Sequence, residues 1–188
     1  MAFDRKRKLP RLGRSAYQGH AVVFWTNTLE QHARGRLTPS FHNLFRELML
    51  HAAAREQLFC PVYCLMPDHF HLIWMGLRGG SDQMDAMRFL RINLEPALGN
   101  GRRWRHQAHD HVLREEEHQP DAFVRICCYM LANPVRAGLA EREADWPYSG
   151  AVIPGYPSLH PLQPGYWELS WRIYVRQCEA GSPPQSPP

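Results

Sequence analysis

The sequence contains no run of 18 uninterrupted apolar residues, so no membrane-spanning helix is expected. No apolar core follows its basic N-terminus, so no secretory signal is expected either. It has no internal repeat, which argues against solenoid and propeller architectures. Its five cysteines (Cys60, Cys64, Cys127, Cys128 and Cys178) are odd in number and include an adjacent pair. Such a set reads as reduced thiols rather than a disulfide framework. These absences together suggest a cytoplasmic protein. At 188 residues, with 44% apolar and 21% charged residues, the chain suits one ordinary globular domain with tails.

The charge is unevenly spread. The first 14 residues hold six basic side chains (Arg5, Lys6, Arg7, Lys8, Arg11 and Arg14) against the single acid Asp4, a local charge of +5. The other 174 residues carry 16 basic and 17 acidic groups, so the net +4 is set by a basic arm and not by a global field. Such an arm suits nucleic acid or another polyanion, or serves only as a solvated tail. Residues 180–188 are rich in proline and serine and cannot build a core. The expected organisation is therefore an arm (1–14), one domain (15–179) and a tail (180–188).

Between the tails, periodicity alternates between strand and helix. Residues 19–26 are rich in β-formers and read as a strand. Thr38-Pro39-Ser40 starts a helix, and Phe41, Leu44, Phe45, Leu48 and Ala52 carry it to about residue 57. Residues 58–65 and 69–77 read as a hairpin around Met66-Pro67-Asp68, with Pro61 marking an edge or an irregularity. Ser81 is a candidate cap for a helix ending near Gly99. Residues 104–113 are a candidate fourth strand. A helix from Asp121 carries the stripe Phe123, Ile126, Cys127, Met130 and Leu131 and ends at Asn133-Pro134. Many turns follow between residues 145 and 165, and residues 166–178 read as a last amphipathic helix. The order β-α-β-β-α-β predicts an α+β fold of ferredoxin-like type, an antiparallel sheet with helices mainly on one face.

Four groups of residues are candidates for chemistry. His69 and His71, two apart on a strand, leave the same face, as a pair of neutral metal ligands or as a polar strand surface. Tyr129 and Asn133 lie roughly 240° and 280° round the helix from Phe123, off the apolar stripe and one turn apart. They suit a nucleophile beside an amide ligand, or a half-buried tyrosine and a helix-end residue. Cys60 and Cys64 with the two histidines suggest zinc, but four strand residues span about 13 Å, too far for one tetrahedral ion. His109 and His111 with His106, and Arg102, Arg103 and Arg105 around Trp104, suit a polar or nucleic-acid-facing patch in which guanidinium and indole stack on single strands.

MPDHFHLIW (residues 66–74) resembles the histidine strand of HUH single-tyrosine transposases. CYMLANPVRAGL (residues 128–139) resembles the Y-x3-N-P-V-R-A-G-L segment of REP-associated tyrosine transposases, and Asp145-Trp146-Pro147-Tyr148-Ser149 resembles the W-x-x-S segment that follows it. The resemblance covers roughly residues 17–150, with the motifs in the family's order.

The resemblance implies His69, His71 and Asn133 as ligands of Mg²⁺ or Mn²⁺, and Tyr129 as a nucleophile forming a 5′-phosphotyrosine. The implied partner is single-stranded DNA with a hairpin, bound by a monomer or homodimer near the nucleoid and away from membranes. Arg136 and the basic residues named above would then face DNA. Two rival readings stand beside this one. One is a catalytically inactive nucleic-acid-binding module on the same fold. The other is a small zinc protein built on Cys60 and Cys64.

Overall fold

The computed structural model of the protein describes residues 11–33 and 37–180. The chain builds β1 (Val22–Thr28), α1 (Pro39–Glu56), β2 (Leu58–Leu65), β3 (His69–Gly76) and α2 (Gln83–Leu98), then β4 (His109–Val112), α3 (Pro120–Leu131), α4 (Asn133–Arg136), β5 (Ser149–Val152) and α5 (Tyr166–Glu179). The strands form one antiparallel sheet in the order β4-β1-β3-β2-β5. The expected α+β antiparallel sheet is the one observed, but its helices cover both faces and not mainly one.

Strand alternation divides the core into two layers. Val23 and Trp25 of β1 and Phe70, Leu72 and Trp74 of β3 face α1 and α2, where Phe45, Met49, Ala52, Ala53, Leu90 and Leu94 meet them. The α1 set recurs at helical spacing, so one stripe of the helix is buried. Val22, Ile73 and Met75 face the other way, against Phe123, Cys127, Met130 and Leu131 of α3 and Tyr166 and Ile173 of α5. The two longest helices thus share one face, and α3 and α5 add a second layer on the other.

Pro61 marks an irregularity in a central strand and not an edge. β2 lies between β3 and β5, and its register shifts on both sides around Cys60 to Tyr63. The shift reverses side-chain parity. Cys60 belongs to the α1/α2 layer and Cys64 to the α3/α5 layer. Two thiols on opposite faces of a sheet cannot bind one ion, and burial pushes both up to about 12, so they stay protonated. This overturns the zinc reading.

Three local differences have physical causes. Asp82, not Ser81, caps α2, its carboxylate accepting from the Met84 and Asp85 amides at 2.9 and 3.2 Å. The Ser81 hydroxyl accepts from Arg78 N and donates to the Gln57 carbonyl instead. The fourth strand is short because residues 104–108 only touch the sheet through a Leu29–Trp104 bridge. The fifth strand, in a stretch read as turns, is selected by its neighbours. Gly150 packs against Tyr63, where an added Cβ would lie 2.8 Å from the phenol oxygen.

Candidate active site

The same parity that buries Phe70 and Leu72 turns His69 and His71 onto the α3/α5 face. That end of the face is polar. Thr28 lies opposite His69, Thr26 opposite His71, and His109 of β4 opposite Thr26 on its other side. Both imidazoles are half-buried, and Phe24 packs on the His71 ring at 5.4 Å.

The two Nε2 atoms converge to 3.0 Å. Behind them, His69 Nδ1 lies 2.6 Å from Asp68 Oδ1, and His71 Nδ1 lies 2.9 Å from Thr26 Oγ1. Asp68 Oδ2 faces His32 Nδ1 at 3.1 Å, and His32 Nε2 faces the Arg105 guanidinium at 2.5 Å. Donor logic fixes most of the protons. Arg105 can only donate, so His32 Nε2 accepts and His32 Nδ1–H donates to Asp68. The carboxylate can only accept, so His69 Nδ1–H donates to its other oxygen. His69 is therefore left with a bare lone pair at Nε2.

His71 is not fixed in this way, because a threonine hydroxyl donates or accepts equally well. With Thr26 donating to Nδ1, His71 Nε2–H donates to His69 Nε2 and every group is satisfied. With Thr26 accepting, His71 also presents a bare Nε2, and two lone pairs converge on one point. Burial, with the neighbouring His69, lowers the His71 pKa to about 3, so its ring stays neutral, the form that ligates a metal. Burial pushes the Asp68 carboxyl up, but the hydrogen bonds from His69 and His32 outweigh it and hold it below its ordinary range.

Tyr129 lies on the outward flank of α3 and is 58% exposed. The helix is interrupted for one residue at Ala132, yet Ala132 N still donates to Cys128 O and Arg136 N to Ala132 O, so α4 continues the helical course. Asn133 consequently stays one turn beyond Tyr129. Arg136 links the two: its guanidinium lies 4.1 Å from the Tyr129 ring centre and donates to Asn133 Oδ1 at 3.3 Å.

Among the described residues, no cluster of three or more His, Cys, Asp and Glu side chains is arranged to hold a metal ion. The donor pair nevertheless fits one. Two ligands about 2.1 Å from an octahedral ion sit about 3.0 Å apart. Each histidine has the outer hydrogen-bond partner that ligating imidazoles use.

No protein-family model matches the chain. It is 23% identical over 162 residues to the REP-associated tyrosine transposase of Escherichia coli (strain K12), an alignment covering 84% of this chain and 88% of that protein. A solved structure of a REP-associated tyrosine transposase bound to a REP hairpin superposes with a TM-score of 0.63 at 22% identity, covering 76% of this chain and 81% of that one. The chain is similar to REP-associated tyrosine transposases. The structural likeness shows that the fold is shared.

The other expected site residues divide. Arg5, Lys6, Arg7 and Lys8, and the tail from residue 181, lie outside the described residues. Arg11 and Arg14 are anchored rather than free: Arg11 pairs with Asp110 at 2.9 Å, and Arg14 with Asp82 and Asp85 at 2.9 and 2.5 Å. Trp104 is no stacking platform. It is 5% exposed, packs edge-on against Phe70, and its indole donates to Arg91 O. An aromatic ring inside an arginine cluster looked like a DNA-stacking group, but burial of its apolar area decided otherwise. Arg102 donates to Leu98 O, Arg103 is exposed, and Arg105 is held by His32. Sequence reasoning missed Asp68, Thr26 and His32 as partners of the histidines. Asp68, adjacent to His69, carried the available signal but read as turn chemistry.

Among the described residues, no helix is long and apolar enough to cross a membrane.

Proposed function

We propose that this protein cleaves and rejoins single-stranded DNA beside a hairpin, with Tyr129 as nucleophile and His69, His71 and Asn133 as ligands of Mg²⁺ or Mn²⁺. The observation that carries the reading is the convergent Nε2 pair with Asp68 and Thr26 behind it. The similarity to REP-associated tyrosine transposases supports it, as does the hairpin bound to the solved relative.

The placement of α3 supports it further. The Cys128 flank of α3 feels the Glu143 carboxylate, ahead of β5. Tyr129 and Asn133 occupy the other flank, one turn apart and joined by Arg136, on a helix packed against the sheet face from which the histidines project. A bound divalent ion supplies charge neutralisation at the scissile phosphate.

The protein's own groups do the rest. The Tyr129 oxygen attacks phosphorus, its phenolic proton leaves, and the bond to the 3′ oxygen breaks. That oxygen takes up a proton as a free 3′-OH, and the 5′ end remains as phosphotyrosine. One phosphodiester is exchanged for another, so the step reverses without an external energy source. Arg136, stacked on the ring, places a permanent positive charge where the DNA backbone approaches.

Incubation with a panel of single-stranded hairpins and Mn²⁺, followed by denaturing electrophoresis, tests the reading. A protein–DNA adduct that needs Mn²⁺ is expected. Hairpin binding with no adduct across the panel would leave the inactive binding module in its place.

A further inference from the structure

A second feature lies on the other face of the sheet. Between α2 and the β1–β4 edge is a cavity of about 380 Å³, within the range of small-ligand sites. Arg11, Arg88 and Arg91 line it, with Met84, Met87 and Ile92 as an apolar wall. Glu95 is its carboxylate, and it accepts from Trp104 N at 3.4 Å. Asp110, 2.9 Å from Arg11, and Glu95 offset two of the three guanidiniums, which leaves the cavity with a net positive charge.

The cations are held in place by the fold. Arg11 is fixed by Asp110 and by the Ala108 carbonyl. Arg91 is half-buried and donates to the main-chain carbonyls of Arg105 and His106, with Glu95 near it but in no direct ion pair. Burial pulls its pKa down, and the neighbouring Arg11 cation pulls it further, against Glu95. An anion entering the cavity relieves that repulsion. Arg88 stands exposed at the rim, and Ile92 is 60% exposed beside it.

This cavity is physically joined to the histidine site. The loop that Arg91 holds from within sends the Arg105 side chain to His32, and His32 donates to Asp68 behind His69.

We propose that the cavity holds one nucleotide of a single-stranded DNA flank, its phosphate on Arg88 and Arg91 and its base against Met84, Met87 and Ile92. The inference rests on the DNA-processing reading above. A thioether wall moulds to any base, so this surface favours a nucleotide without reading its sequence.

Fluorescence anisotropy in metal-free buffer tests it, with a blunt hairpin and the same hairpin carrying a short oligo-dT tail on either side. One tail is expected to tighten wild-type binding about tenfold, the factor carried by one charge-assisted hydrogen bond. Arg88→Glu and Ile92→Asp, both at exposed positions, should each remove that gain and keep blunt-hairpin affinity. Arg88→Glu should also lower the salt slope for the tailed probe by about 0.7. A wild type with no tail-dependent gain, or variants that keep it, would overturn the proposal. A wild type that binds no hairpin would overturn the DNA reading itself.

Discussion

Asp68→Asn is the sharpest perturbation of the histidine pair, because no orientation of the amide both satisfies His32 and leaves His69 Nε2 bare. With its oxygen toward His69, the amide NH₂ points at His32 Nδ1. That nitrogen must then accept, which puts a proton on His32 Nε2, where the Arg105 guanidinium already donates at 2.5 Å. With its oxygen toward His32, the NH₂ faces His69 Nδ1 and forces the proton onto Nε2, the atom that meets His71 at 3.0 Å. The first orientation sets donor against donor; in the second, Thr26 accepts from His71 Nδ1–H and His71 Nε2 accepts from His69 Nε2–H, but His69 then offers a metal no lone pair, and the carboxylate charge is lost in both. Loss of such an outer partner lowers metal affinity by about 10–100-fold, or roughly 1.4–2.7 kcal/mol. Calorimetric Mn²⁺ titration of the folded protein measures it. The double variant Asp68→Asn/Arg105→Ala frees His32 to flip, and should recover the tautomer part of the loss but not the charge part. Unchanged Mn²⁺ affinity in Asp68→Asn, or a double variant no better than the single, would refute the network.

Three further predictions follow from particular residues. Asn133→Ala should raise the Mn²⁺ concentration for half-maximal cleavage with a metal-free melting temperature near wild type; a lower melting temperature with unshifted metal dependence would reduce Asn133 to a helix-end residue. Deleting residues 1–10 should weaken DNA binding and lower the single-strand salt slope by about 0.7 for each phosphate the arm no longer neutralises, while deletion through Arg14 should also lower the melting temperature by removing the ion pairs to Asp110, Asp82 and Asp85. Burial holds His71 at about 3 and, aided by Arg46, His42 at about 4, against an ordinary 6.5. The unfolded chain binds the extra protons in that window, so stability is full above about pH 6.5 and falls as pH drops toward 4 and then 3. Thermal unfolding across pH should show this decline, and His42→Gln should flatten part of it.

Much of the fold was legible because local pattern and tertiary packing agree. The β2–β3 hairpin, α1, α2, α3 and α5 each carry a run whose period matches the face they bury. β5 was not legible, since Ser-Gly-Ala-Val has little strand character and is held by a groove beside Tyr63 that admits no larger residue at position 150. The reversal of face at Pro61 also escaped, because simple alternation puts Cys60 and Cys64 on one side and only the register shift separates them. In the site, the same-face histidines and the Tyr129–Asn133 spacing were readable from period alone. Thr26 and His32 were not, since each meets its partner only through long-range packing of β1 and its following turn against β3.

The central claim is that Tyr129 forms the covalent bond to DNA. The most direct measurement is to isolate the Mn²⁺-dependent adduct, digest it with protease and nuclease, and locate the modified residue by mass spectrometry, alongside Tyr129→Phe. The account predicts a nucleotide phosphate on Tyr129, no adduct in Tyr129→Phe, and unchanged hairpin binding by that variant. A nucleotide on another residue, or an adduct formed at the wild-type rate by Tyr129→Phe, would contradict it.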